Sequence, residues 1–250
     1  MDYIVAILGS CGSSKDVYCT LQENYPGTPA VFINDLSQCK EGHFVVIGNQ
    51  KIPIIRNWDF TRIQKQFGLK TVRFLCGLGN TVGKRILVSK ALAQGLEPAE
   101  TLVSKDSVVR PDCFLGRGGV IHLGSYLSTN VNVGDYVSLF STRVGHDSVI
   151  SNYCTCTLSN LPGHVYLDEG VQLGVGVSAK ERIYVAPWCL VGVQSAVVKD
   201  IETPGTVAVG IPARKIRDTV FPRLFLDSWP EGWKQYLQNR RLPLPSFEIS

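Results

Sequence analysis

Between Val103 and Val197 an aliphatic residue returns at every sixth position. The first run is Val103, Val109, Leu115, Ile121, Leu127, Val133 and Leu139, and the second is Leu161, Leu167, Leu173, Ala179, Val185, Val191 and Val197. Val144, Ile150 and Cys156 lie between them, set off on each side by a step of five. Six fits neither the 3.6 of a helix nor the two-fold alternation of a strand. It is the hexapeptide repeat of a parallel β-helix. Each hexad makes one flat side of a triangular coil, with the aliphatic side chain pointing inward. The next residue is small where the chain turns, as at Gly116, Ser128, Gly134, Gly145, Ser151, Gly174, Ala186 and Gly192. Three hexads close a coil of about 18 residues, so the stretch stacks about five coils. Leu127, Val133, Leu173 and Val191 are accordingly predicted to be nearly fully buried.

Residues 1–100 do not share this period. Tyr3–Leu8 reads as a buried strand, followed by a glycine-containing turn, Gly9 to Lys15, and a helix through Val17–Leu21. Ala30–Asn34 is a second strand, ending at Asp35, and Phe44–Ile47 a third, ending in Gly48-Asn49. Asp59 is placed to cap a helix that stops at Gly68. Thr71–Cys76 and Val82–Gln94 read as a further strand and helix, the latter closed by Gly95. Strands alternating with helices predict a parallel α/β sheet. Residues 101–217 form the β-helix and its closing loop, and 218–250 a tail rich in proline and aromatic residues. In that tail Ser228-Trp229-Pro230-Glu231 resembles a capping box opening a short helix.

The 250 residues suffice to bury a real core in one or two domains. A net charge of +4 with no Lys/Arg cluster among aromatics gives no case for nucleic acid, though a mildly basic surface suits an anionic small molecule. The eight cysteines include no CxxC pair and no zinc spacing. No apolar run reaches the roughly 20 residues of a membrane span. The N-terminus lacks the basic region and cleavage site of a signal peptide, so the thiols point to the reducing cytoplasm.

Three elements are more specific: Gly9-x-x-Gly12-x-x-Lys15 after the first strand, Val144-Gly145-His146-Asp147 inside the repeats, and Gly210-Ile211-Pro212-Ala213-Arg214 closing them. In these the chain resembles the bacterial sugar acyltransferases typified by sialic acid O-acetyltransferases and nucleotide-amino-sugar N-acetyltransferases. The resemblance covers roughly residues 3–217. It implies an N-terminal Rossmann-like α/β domain followed by a left-handed parallel β-helix, assembled as a homotrimer. The hand of the coil comes from the resemblance and not from the spacing.

The same resemblance makes His146 the general base. Of His43, His122, His146 and His164, only His146 sits in the family's turn. A hydroxyl or ammonium needs a base before it attacks, and a neutral imidazole suits that task. The thioester of acetyl-CoA is already activated, so the chemistry requires neither a covalent nucleophile nor a metal. Asp147 is placed to orient the imidazole or raise its basicity. A polar corner histidine and a solvated corner aspartate are the alternatives that spacing leaves open. Relatives often carry a second histidine nine residues on, near the thioester, where this chain has Thr155. His164 lies about one coil beyond His146. A γ-carbonic-anhydrase-like zinc site would need a paired H-x4-H that is absent, so no metal is expected.

By position, Gly163, Val175 and Val193 are expected to line the acetyl-CoA groove between two subunits, with Arg214 and Lys215 on its phosphates. Gly9, Ser10, Cys11 and Gly12, with Asp35 after the second strand, are expected around the nucleotide of the acceptor. Such a turn alone is weak, since tight β–α turns favour glycine anyway, and Ser13 stands where the family often has histidine. The leading expectation is an enzyme that acetylates an amine or hydroxyl of a sugar, nucleotide-linked or a surface-polysaccharide precursor. The alternative is a non-catalytic β-helix that binds a nucleotide-sugar or scaffolds a pathway.

Overall fold

Burial on both faces organises the N-terminal segment. In the computed structural model, residues 2–34 and 44–219 are described; Asp35, His43 and the predicted tail helix lie outside them. Strand β1 (Ile4–Leu8) is buried at all five positions. Its alternate side chains serve two cores. Ile4, Ala6 and Leu8 pack with Val88 and Ala91 of α3 (Thr81–Ala93), while Val5 and Ile7 pack with Val17 and Leu21 of α1 (Gly12–Asn24). A strand covered by helices on both sides reads as a continuous apolar run, as this one does.

The strands β2 (Ala30–Ile33) and β5 (Val72–Cys76) pair in parallel on either side of β1. The short β6 (Glu97–Pro98) extends the sheet beyond β5. On the other edge the parallel reading needs correcting. The third predicted strand, β3 (Phe44–Ile47), does not join the sheet in parallel. It turns back at Gly48-Asn49 into β4 (Gln50–Ile55), which was not foreseen, and the two pair antiparallel. A two-residue turn opening on Gly48 at φ 55° suits such a hairpin. Helix α2 (Thr61–Phe67) starts where Asp59 Oδ1 accepts the Thr61 N–H at 2.9 Å and ends at Gly68, whose φ of 67° is left-handed.

The β-helix begins at Leu102. Its first face returns at Leu102, Val120, Ser138, Thr155, Gln172 and Leu190, each strand parallel to the one before. A second face runs from Val108–Val109 to Ala196–Val197, and a third from Phe114–Leu115 to Tyr184–Val185. The inward aliphatic ladder lies where the period puts it: Leu127, Val133, Leu173 and Val191 are buried to within 2%. In the first coil, which has a neighbour on one side only, Val103, Val109 and Leu115 are half-buried.

From Gly118 to Gln194 each corner carries one residue in the left-handed region. The series is Gly118, Gly124, Asn130, Tyr136, Ser141, Asp147, Tyr153, Leu158, His164, Gly170, Gly176, Arg182, Trp188 and Gln194. Its two steps of five, to Ser141 and to Leu158, coincide with the two short steps of the hydrophobic period. The small residue after each inward position answers to coil stacking. A Cβ on Gly145 would stand 2.5 Å from the Pro162 carbonyl carbon of the next coil.

One corner of the prism, between third and first faces, is aromatic and docks on the α/β segment. Phe74 of β5 stacks on Tyr136 at 5.9 Å, Tyr136 on Tyr153 at 5.0 Å, and Tyr153 on Trp188 at 6.3 Å. Beside them the fully buried Lys84 of α3 donates to Ser138 Oγ, Cys154 O and Thr155 Oγ1. Thr206–Val209 adds a last strand to the first face, and Arg214–Asp218 folds back on it antiparallel. No helix among the described residues is long and apolar enough to cross a membrane.

Candidate active site

His146 sits at the corner between the second and third faces, and the turn around it is built to hold it out. Val144 points into the prism and is fully buried. Gly145 has no room for a side chain. His146 follows, its side chain about half exposed. Asp147 then takes φ 56°, a conformation aspartate tolerates better than most residues. Ser148 turns inward again and is fully buried, its Oγ donating to the Pro162 carbonyl and accepting the Val165 N–H. The imidazole lies against Gly163 of the next coil, where a Cβ would stand 2.6 Å from Nε2.

Asp147 is gripped from two sides. Its Oδ1 accepts Asn130 Nδ2 at 2.7 Å, from one coil earlier, and Asn130 is fixed by its own N–H to Asp112 Oδ2. Its Oδ2 lies 2.7 Å from His146 Nδ1 and 3.7 Å from His164 Nε2. The Asn130 amide, then the His146 ring, holds the Asp147 carboxyl below the usual carboxylate range. An ionised carboxylate can only accept a hydrogen bond, so the proton on neutral His146 belongs on Nδ1 and the lone pair on Nε2. That tautomer leaves the outer nitrogen free to take a proton. The His164 ring stands edge-on to His146, centroids 5.2 Å apart, and the His164 backbone N–H donates to the His146 carbonyl. Val144, Gly145 and Pro162 also line a cavity of about 470 Å³ on the second face, together with Tyr126, Arg143 and Asn160.

The other expected site residues disperse. Thr155 does not reach this corner. Nine residues past His146 is half a coil, so it falls on the first face, 3% exposed, with its hydroxyl taken by Lys84. Val175 and Val193 stand exposed on a different edge, between first and second faces, near Leu158. Arg214 and Lys215 are exposed on the closing strand, where Lys215 Nζ pairs with Asp218 at 2.6 Å. Gly9 takes φ 98°, and Ser10 Oγ accepts from Asn34. Cys11 precedes α1, which has no side-chain cap and no acid in its first turn. Ser13 and Ser14 donate to the Gly77 carbonyl, tying this turn to the one after β5. Asn130, Arg143 and Lys84 were not foreseen. Asn130 was legible in principle, three corners and one full coil before Asp147.

No family model matches the chain, and no curated protein matches it in sequence. Solved structures do match it. A variant of perosamine N-acetyltransferase from Caulobacter crescentus, with one histidine replaced by asparagine and in complex with CoA and GDP-perosamine, is 22% identical. It superimposes with a TM-score of 0.72 over 86% of this chain and 97% of its own. The chain has the fold of this acetyltransferase. The acetyltransferase domain of PglB from Neisseria gonorrhoeae, in complex with acetyl coenzyme A, is 23% identical over 85% of this chain and 98% of its own, TM-score 0.68. WeeI from Acinetobacter baumannii is 21% identical over 86% and 100%, TM-score 0.70. The shared fold is an α/β segment followed by a left-handed parallel β-helix.

Proposed function

We propose that the protein transfers acetyl from acetyl-CoA to an amine or hydroxyl of a sugar, in the leading case a nucleotide-linked one. The observation that carries this reading is the His146 Nδ1–Asp147 Oδ2 contact of 2.7 Å on an exposed β-helix corner, in a fold shared with structures that hold CoA and GDP-perosamine. His146 Nε2 takes the proton of the attacking group as it adds to the thioester carbonyl. Asp147 keeps the ring in the competent tautomer and stabilises the imidazolium that forms. A backbone N–H at the corner steadies the oxyanion. The Gly163 N–H, which has no partner among the described residues, is free for that role.

The chain acts as a homotrimer in this reading. His146 and the Val175/Val193 ridge lie on different edges of one prism, so a groove containing both needs two chains. Arg143, lining the cavity beside His146, is added to Arg214 and Lys215 as a cation for the phosphates of CoA. The acceptor's phosphates belong at the open N-terminus of α1, beside Gly9–Gly12. The described cysteines are all free, which fits a cytoplasmic enzyme. The test is release of free CoA thiol when acetyl-CoA is mixed with a panel of amino-sugar nucleotides and sialic acids. An acceptor-dependent thiol signal that disappears in His146→Ala is expected. Tight nucleotide-sugar binding with no thiol release across the panel would favour the non-catalytic alternative.

A further inference from the structure

Asp147 brings a second histidine to the corner that the acyl-transfer reading leaves unused. The ligand-capable atoms of His146, Asp147 and His164 all lie within 4.8 Å of one another. We propose that His146, Asp147 and His164 form a dissociable site for zinc or a similar borderline divalent metal, and that its occupancy switches the base off.

Four observations carry the site. First, the spacing is within reach. Ligands about 2.0–2.1 Å from a tetrahedral zinc stand about 3.3 Å apart; the two edges at Asp147 Oδ2 are 2.7 and 3.7 Å and the third is no more than 4.8 Å, so side-chain rotation on the surface closes the set. Second, the donor set is selective, since two imidazoles and one carboxylate suit zinc and its neighbours and suit magnesium poorly. Third, the ligands rest on a fixed frame. They come from adjacent coils joined by the His164 backbone N–H to the His146 carbonyl at 2.9 Å, and Asn130 orients the carboxylate from outside, as supporting groups do at metal sites. Fourth, the side chains are 39–55% exposed, so a fourth position is open to water and the ion can leave.

The consequence follows from the ring. With Nδ1 given to the metal, a neutral imidazole keeps its proton on Nε2. Its former Nδ1 proton moves to Nε2 through solvent, and Nε2 becomes a donor instead of an acceptor. Asp147 is removed from its orienting role at the same time. Only this consequence rests on the proposed acyl transfer; binding itself rests on the geometry.

Calorimetric titration of zinc sulfate into the chelator-treated full-length protein, without acetyl-CoA, is the test. One site per chain is expected, weakened roughly tenfold or more in His164→Ala, His164→Gln and Asp147→Asn. Cys11→Ser, which removes an exposed thiol, should leave the affinity unchanged, and magnesium should give no binding heat. In turnover assays zinc should inhibit reversibly. The zinc concentration for half-inhibition should rise by the same factor in His164→Ala, measured against that variant's own zinc-free rate. Zinc binding undiminished in all three ligand variants, or no binding to the unmutated protein, would overturn the site. Zinc binding without any acyl transfer would leave the site standing and condemn the enzymatic reading instead.

Discussion

His146 depends for its chemistry on what holds Nδ1. With Asp147 ionised and anchored by Asn130, the ring presents its lone pair at Nε2. His146→Ala should therefore fold normally and lose acyl transfer by roughly 10²-fold or more, the usual scale for removing a general base. His146→Gln should be similarly impaired, because it cannot accept a proton. Asp147→Asn should cost less, since it disturbs only tautomer and basicity; kcat from thiol release reads all three. A different histidine governs acid stability. His122 is 4% exposed, stacked on Phe140 at 4.0 Å, with Nε2 unpartnered among the described residues. Burial, then the Lys84 charge, holds it down to about 4 against 6.5. Between those values the unfolded chain binds a proton that the folded chain refuses, so stability is lost as pH falls from about 6.5 towards 4. The loss amounts to about 3 kcal/mol. His122→Phe should abolish that part of the pH dependence. Equal acid sensitivity in urea unfolding of the two proteins would contradict it.

At the scale of the element, the hexad is the unit of stability. Leu127 is fully buried against rungs above and below, and Leu127→Ala should cost about 2–4 kcal/mol by lost burial plus a cavity, read from the urea midpoint at constant slope. This ladder was legible because its residues are uniformly aliphatic. The second inward residue of each hexad was not. Val131, Val137, Cys154, Val165 and Val171 alternate in that role with Ser125, Thr142 and Ser148, so no hydrophobic period marks them. The polar members are satisfied by the next coil, as Ser125 Oγ donates to the Leu139 carbonyl. The hairpin of β3 and β4 was missed because Gly48-Asn49 reads equally as a strand end and as a two-residue turn. The aromatic corner stayed hidden for another reason. Tyr136, Tyr153 and Trp188 are coil-corner residues whose partner, Phe74, is distant in sequence. At the candidate site the motif gave His146 and Asp147, while Asn130 and His164 are joined to them only by stacking one coil on another. Thr155 is nine residues from His146 along the chain but half a coil around the prism, which sets it on the first face beside Lys84.

For the whole molecule, the arrangement of edges is what the proposed trimer rests on. The docked α/β segment covers the third–first corner, His146 occupies the second–third corner, and Leu123, Leu158, Val175 and Val193 leave apolar surface exposed along the first–second edge. Three such prisms arranged about a three-fold axis would set each His146 corner against a neighbour's apolar edge, and cyclic symmetry makes the three grooves identical. Sedimentation should give three chains per particle at micromolar concentration, and a monomer there would sink the shared groove. Complementation reads the sharing directly. His146→Ala lacks the base, and Val193→Trp fills the groove from the other side, so each should be inactive alone. When the two are unfolded, mixed and refolded, random assortment leaves roughly a quarter of the grooves with an intact His146 facing an intact Val193. Activity should therefore return to about that fraction of the unmutated rate. If the mixture stays as inactive as its parents while still sedimenting as trimers, both residues serve the same chain's site, and the groove does not lie between subunits.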